Sequence, residues 1–414
     1  MFDVIVIGGG AAGMMAAAAA AEYGAFAAVI EKNDRLGKKL AITGKGRCNL
    51  TNNSDLAEVM NNIPANARFL YSALSAFSTA DVMDYFESLG VPLKTERGKR
   101  VFPVSDKASD VVTALSERLN QLGVKIIRGD VRELVTENGV CTGVRYKSGG
   151  ALKTERAKAV ILATGGKSYP KTGSDGYGYT LARQAGHTIV PPQPSLVPLE
   201  TEQGWVSRAA GLNLRNCAVR LFDGEKRIYE DFGELMFTGF GVSGPTVLSA
   251  SAHIADMQRG RYSLVIDLKP ALSEKQLDAR LLRDFSERRG QPFIEAIGGL
   301  LPSGLREPIA ELSGISPSKK VDEITREERR ALIALLKGVR LDILRFRPID
   351  EAIITRGGVA VSEINPKTME SKLCRGLFFA GEIIDVDAYT GGFNLQIAFS
   401  TARAAGKAAS GADW

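Results

Sequence analysis

The sequence predicts an α/β fold: a domain of parallel sheet plus antiparallel meander, split by an α+β insertion. Three observations predict it. The N-terminus reads strand, glycine turn, helix, strand, and both strands are apolar enough to be covered on two faces. Short polar-faced segments punctuated by glycine follow. Buried-strand and helix signals then return only near the C-terminus, after a stretch of different character.

The elements follow in chain order. Phe2 to Ile7 is almost wholly apolar and β-branched, and Gly8-Gly9-Gly10-Ala11-Ala12-Gly13 opens an alanine-rich helix that ends near Gly24. Ala27 to Ile30 is a second strand stopping at Glu31. Val111, Val112, Leu115, Leu119 and Leu122 fall at helical spacing, with Gly123 as the stop. Val124 to Val135, Gly139 to Tyr146 and Leu152 to Arg156 read as the meander, and Ala159 to Ala163 as a separate buried parallel strand. Proline can neither continue a helix nor donate within a central strand, so Pro191-Pro192-Gln193-Pro194 marks a boundary. The expected domains are therefore 1–192, an insertion at 193–346, and 347–414 completing the first domain. Within the insertion, 193–270 reads as β-rich and 271–346 as helical, with Leu277, Leu281, Leu282 and Phe285 on one helix face. From Arg345 to Val361 the pattern returns to strands. Leu377 to Ala380 is a last buried strand, and a helix begins near Asn394.

Composition narrows the function classes. The 414 residues suit two or three domains, and 44% hydrophobic with 24% charged excludes disorder. Only two histidines, His187 and His253, occur; both read as structural, and neither a His-rich metal site nor a His-based triad is expected. The cysteines Cys48, Cys141, Cys217 and Cys374 form no CxxC pair, so no metal centre is expected and a reducing, cytoplasmic location suits them. Phe2 to Ile7 starts without a basic leader, and Ala11 to Ala21 is shorter than the roughly 20 residues a bilayer requires. No membrane partner is expected. The net charge of +6 favours anionic ligands but is a weak argument for nucleic acid.

The chemistry-bearing segments begin with Gly8-x-Gly10-x-x-Gly13, set between strand and helix. Its glycines give a tight turn, an open approach for a pyrophosphate and close helix packing, while Ala11 and Ala12 present free N–H groups. Glu31, with Lys32 beside it, stands 21 residues beyond Gly10, where an acid accepts the adenosine ribose hydroxyls. Gly239 to Gly244 repeats the same letters, but Pro245 follows and no buried strand precedes, so a loop leading into a helix is expected there. Gly37, Lys38, Lys39, Thr43, Gly44, Lys45, Gly46, Arg47, Cys48 and Asn49 form a basic, glycine-rich loop suited to a phosphate-bearing or flat ligand. Cys48 alone reads as a packed thiol. Ala163-Thr164-Gly165-Gly166 ends a strand at the ligand crevice, and Val131 in the meander is placed against the same ligand. Gly381-Glu382, Asp385, Gly391, Gly392 and Asn394 close the set, the last helix start aiming N–H groups at a ring oxygen that a reduced flavin has and nicotinamide lacks.

These segments, in this order, resemble the glutathione-reductase-type FAD fold. The closer resemblance is to a bacterial family of NAD(P)/FAD-dependent oxidoreductases that includes aminoacetone oxidase and a flavoprotein reductase of dehydrogenated bile acids. The matching stretches are Gly8 to Gly13, Gly37 to Asn52, Arg100 to Val104, Ala163 to Gly166, Ser174 to Gly178, Thr355 to Val359, Thr368 to Glu370 and Gly376 to Phe393. The resemblance implies FAD in the split domain with the insertion over its isoalloxazine, and a more distant relation to fumarate reductase flavoproteins. It also implies NAD(P)H as a transient electron donor, although no second nucleotide fold is legible. One departure is Gly239, where many relatives carry a histidine. The expected reaction is hydride transfer through flavin N5 to an activated C=C or C=N bond of a small or steroid-like molecule. Arg47 is the candidate anion stabiliser, the alternative being a tie between loop and sheet; Tyr389 is the candidate proton donor or a packed aromatic. An amine oxidase using oxygen is the rival enzyme, and an RNA-binding flavoprotein the rival class. Matched Lys/Arg and Asp/Glu in the insertion argue against the latter. Homo-oligomerisation stays open.

Overall fold

A computed structural model describes residues 1–412. The chain separates into two compact units, Met1–Ser195 with Ile349–Trp414, and Leu196–Pro348. These junctions fall a few residues beyond the expected 192 and 346.

The first unit is built on a sheet whose parallel part runs Lys125–Arg128, Ala27–Glu31, Phe2–Ile7, Ala151–Leu162, with Leu377–Phe379 on the far side of the last. Val4, Ile5 and Val6 are fully buried, each side chain contributing about 1.5–3 kcal/mol by leaving water. The helix Ala11–Glu22 is buried from Ala12 to Ala20 and packs against the last helix, Phe393–Ala409. Small side chains on both make that approach close.

Two strand readings need correction. The segment from Val124 does not enter the meander whole: Lys125–Arg128 joins the parallel sheet, Gly129 breaks the run, and only Asp130–Glu137 pairs antiparallel with Val140–Ser148. Leu152 to Arg156 and Ala159 to Ala163 are one strand, Ala151–Leu162. Its first half is exposed and pairs in the meander, its second half is buried beside Phe2–Ile7. The change from polar to apolar pattern marks a change of cover, not a break.

The proline cluster is also strand. Ile189–Ser195 pairs antiparallel with Ile354–Val359, and its register shifts between Val190 and Gln193. The sheet has only two strands, so a proline's missing N–H can face away from the ladder, as edge strands allow.

The second unit is a closed antiparallel barrel of Leu199–Thr201, Gly241–Ser243, Lys226–Phe237, Asn213–Asp223, Tyr262–Asp267 and Val339–Phe346. Helices Glu274–Glu287, Ser303–Ser313 and Arg326–Lys337 accompany it, and capping boxes at Ser273/Gln276 and Thr325/Glu328 start the first and third. Val339–Phe346 corrects the reading of 271–346 as helical. Gly338 ends the preceding helix, after which Val339, Leu341 and Ile343 alternate inward at period two. Gly239 lies in the turn before Gly241–Ser243, which leads into helix Pro245–Ala252.

Candidate cofactor and active site

The glycine turn is fixed by contacts that only glycine permits. Gly8 has φ +99°, and a Cβ on Gly13 would stand 1.8 Å from the Gly8 carbonyl oxygen. Gly10 is different: a Cβ there would meet nothing within 4 Å, because it faces a cleft. The helix that starts after Gly10 has no side-chain cap and no acid in its first turn. Its free N–H groups and positive dipole end are left for an anion.

The cleft has a volume of about 1350 Å³, open solvent included. Gly8, Gly10, Ala11 and Ala12 line it with Glu31, Lys32 and Val131, and Ala163, Thr164 and Gly165 contribute the adjoining strand end. Gly37, Lys38, Lys39 and Thr43 supply the basic loop, Glu382 and Asn394 the C-terminal segment. Leu395 also lines it, so the uncapped start of the last helix, which carries no acid in its first turn, faces the same space as the first helix. One cleft with two helix N-termini, an open glycine and a buried acid fits a dinucleotide carrying a second polar ring.

Glu31 is 8% exposed and accepts the Gly9 N–H at 2.6 Å, the Asn33 N–H at 2.7 Å and the Asn33 amide at 2.7 Å. It thus ties the second strand to the glycine turn, and the carboxylate's remaining lone pairs are where ribose hydroxyls would donate. Lys32 pairs with Asp175 at 2.7 Å, and Lys38 with Asp34 at 2.7 Å. Lys39 donates to Glu382 and to Ser168, both at 2.7 Å, while the Ser168 hydroxyl and Thr355 N–H donate to Glu382 at 2.9 Å each. This network joins four chain segments at the cleft wall.

Other expected site residues stand behind the wall. Gly13 packs on Gly8, a Gly166 Cβ would meet Thr355 Oγ1 at 2.3 Å, and a Gly381 Cβ would meet that of Ala12 at 2.7 Å. Gly391 lies against Phe393, and a Cβ on Gly392 would come within 2.2 Å of the Thr51 carbonyl. Asn49, with its amide turned to suit both neighbours, donates to Thr51 O at 3.1 Å and accepts the Gly392 N–H at 3.0 Å. The N–H groups offered to a ligand are therefore those further along the helix. Gly44 and Gly46 have left-handed φ in a 3₁₀ turn spanning Leu40–Gly46, outside the lining. Cys48 is fully buried, and burial pushes its thiol up to about 12. It is a packed thiol.

Arg47 does not line the cleft. Its guanidinium donates to Asp106 from Nε at 2.8 Å, pairs with Glu96, and lies 4.2 Å from the Phe102 ring centre. That occupancy corresponds to the tie between loop and sheet rather than to an anion stabiliser. Asp385 accepts from Asn66 at 3.0 Å, and burial pushes its carboxyl above the usual range. Tyr389 is half-buried, and burial pushes its phenol up. His187 is structural as expected, buried between Glu363 and Ser371.

Sequence reasoning missed Asn33 and Tyr177, which line the cleft, and Ser168 and Thr355, which donate to Glu382. Thr355 and Tyr177 fall within stretches that carry the family resemblance, which was the available signal. Asn33 and Ser168 gave none, because no motif marks them: Asn33 bonds back to Glu31 and across to the Thr172 carbonyl, and Ser168 meets Lys39 and Glu382, 129 and 214 residues away.

Comparison with known proteins agrees with this geometry. The family model described as HI0933-like protein Rossmann domain matches residues 2–408. Over 383 residues, 92% of each chain, the protein is 34% identical to the 3-dehydro-bile acid delta(4,6)-reductase of Clostridium scindens. Over 402 residues, 97% of this chain and 96% of the other, it is 28% identical to the ribosomal RNA dihydrouridine synthase of Escherichia coli. The structure of 3-ketosteroid-delta4-(5alpha)-dehydrogenase from Rhodococcus jostii shares the fold, with TM-score 0.55, 18% identity, and coverage of 99% of this chain and 96% of that one. The chain belongs to the HI0933-like Rossmann family and is an FAD-dependent oxidoreductase.

Proposed function

We propose that the protein reduces a carbon–carbon double bond conjugated to a carbonyl, in a small molecule of steroid-like shape, with NAD(P)H as transient electron donor. The observation that carries the reading is the 34% identity, over 92% of both chains, to a relative named as a delta(4,6)-reductase. Bound and reduced, FAD supplies the hydride. The chain's own part is to hold and to polarise. Glu31 and the glycine turn take the adenosine and pyrophosphate end, and the Asn394–Leu395 helix start favours negative charge at the other end. Tyr389, kept protonated by burial, is the candidate proton donor. Four free, buried cysteines suit work in the cytoplasm.

A second reading is favoured by one observation. Two relatives, 28% and 29% identical over 97% of this chain, are named ribosomal RNA dihydrouridine synthases. The uracil C5=C6 bond is likewise conjugated to a carbonyl, so the same chemistry serves a base in RNA. Anaerobic mixing of FAD-loaded protein with NADH or NADPH tests the donor, bleaching of the flavin being the expected result. Addition of a 3-oxo-Δ4,6 steroid, a uridine-containing RNA or air then tests the acceptor. Re-oxidation by the steroid supports the first reading and by the RNA the second. Bleaching by an amine alone, reversed by air alone, replaces both with an oxidase.

A further inference from the structure

Next to one part of the cleft wall stands an ion pair that cofactor binding does not account for. Side chains alternate along strand Ile354–Val359, so Arg356 shares a face with Ile354, which lines the cleft. Asp387 follows Val386, another lining residue, and is 1% exposed. Its carboxylate accepts the Ser195 hydroxyl at 2.6 Å and the Arg356 guanidinium at 3.4 Å and 3.5 Å. A buried carboxylate is tolerated only with such partners, and in turn it fixes where the guanidinium stands. Asn394, also in the wall, accepts the Ala388 N–H at 2.9 Å and donates to the Ala388 carbonyl at 2.7 Å. Segment 387–389 is thereby clamped to the start of the last helix. Tyr389 in that segment feels both charges: beyond the larger effect of burial, Arg356 lowers its pKa and Asp387 raises it. A planar cation and a protonated phenol thus stand together just behind the cleft wall, beside the lining residues Ile354, Val386 and Asn394.

We propose that Arg356 binds the carbonyl oxygen of the substrate and holds the negative charge it acquires, with Asp387 and Ser195 as positioning residues. The proposal rests on the reductase reading above. When a hydride, supplied by the two-electron-reduced flavin, bonds to the β-carbon, the C=C π pair moves toward the carbonyl and leaves an enolate oxygen. A proton from Tyr389 then bonds to the α-carbon, and the carbonyl re-forms. The substrate gains one hydride and one proton, and the phenolate is re-protonated from solvent. A guanidinium suits the task because it keeps its charge and presents planar, paired donors to a planar oxyanion.

The test uses FAD-loaded protein and 4-nitrophenolate, a planar conjugated oxyanion, titrated by the shift of its absorbance band above its own pKa. Arg356→Gln should weaken phenolate binding at least tenfold per bound FAD, with a lower thermal midpoint because buried Asp387 loses its cation, and Arg356→Lys should restore the midpoint and recover part of the binding. Asp387→Asn should lower kcat more than it changes KM. It should also move the alkaline limb of the rate profile to lower pH, because Tyr389 loses a neighbouring negative charge. Unchanged phenolate binding in Arg356→Gln, or a loss that only tracks lost FAD, overturns the proposal. If the wild-type protein binds phenolate through Arg356 yet reduces no conjugated ketone, the anion site stands and the reductase reading fails.

Discussion

Two glycines three residues apart should respond to the same substitution in opposite ways. Gly10 has φ −80° and ψ −169°, a conformation alanine adopts freely, and its added methyl would meet no protein atom within 4 Å. The entropy removed from the unfolded chain, about 0.4–1 kcal/mol, offsets the few tenths to one kcal/mol of a poorer helix cap. Gly10→Ala should therefore keep the stability of the cofactor-free protein within about 0.5 kcal/mol. At Gly13 the methyl would stand 1.8 Å from a backbone oxygen, well inside the contact distance, and no flexible side chain can yield. Helix and strand must separate, and overpacking of this kind costs about 1–3 kcal/mol or more. Gly13→Ala should then lower stability and FAD retention together. Gly10→Ala should lower FAD affinity alone, by at least tenfold, since its methyl occupies the approach left for the pyrophosphate. Urea denaturation of cofactor-free protein and fluorescence titration with FAD separate the two. Wild-type FAD affinity in Gly10→Ala would refute the placement of the pyrophosphate at this turn.

Three further outcomes are expected. Glu31→Gln puts an amide N–H₂ against N–H donors from Gly9 or Asn33, so FAD affinity should fall by about 1.5–3 kcal/mol, roughly 10- to 150-fold in Kd by fluorescence titration. Arg47→Ala should lower thermal stability and FAD content in parallel while leaving the rate of flavin reduction per bound FAD unchanged in rapid mixing; a slower rate per flavin would restore a role in chemistry. His187 donates to Glu363 at 3.1 Å and accepts from Ser371 at 2.7 Å, and the Ser371 oxygen is already taken by the N–H groups of Leu373 and Cys374. Burial lowers its pKa, against the opposing pull of Glu363, so the unfolded chain binds the proton more readily than the folded one. Stability should fall as pH drops below about 6.5, by at most about 1.4 kcal/mol per unit from this group, and His187→Gln should flatten that slope in urea titrations.

Much of the fold was legible because its signals are local. The apolar runs at Phe2–Ile7 and Ala27–Glu31 and the glycine spacing between them define strand, turn and helix without reference to distant residues. The acid at Glu31 was legible for the same reason. What escaped the sequence is partnership. Lys125–Arg128 has the same polar pattern as the meander strands, yet pairs with Ala27–Glu31, and nothing within the segment says which neighbour it takes. The prolines of Ile189–Ser195 argued against a strand because the argument assumed a central one. At the site, Arg47 looked free for a ligand because its carboxylate partners, Glu96 and Asp106, lie 49 and 59 residues away. Arg356 showed its context only once Ser195 and Asp387 were brought beside it, 161 and 31 residues away.

The most direct test of the account is a single anaerobic titration. FAD-loaded protein, reduced to completion, is mixed with a 3-oxo-Δ4,6 steroid, and the flavin absorbance and the steroid mass are followed together. One equivalent of steroid should restore the oxidised flavin spectrum and leave as a product two mass units heavier, one of its two C=C bonds saturated and its carbonyl intact. Flavin that stays reduced under steroid but is re-oxidised by a uridine-containing RNA, or by oxygen alone, would contradict the account.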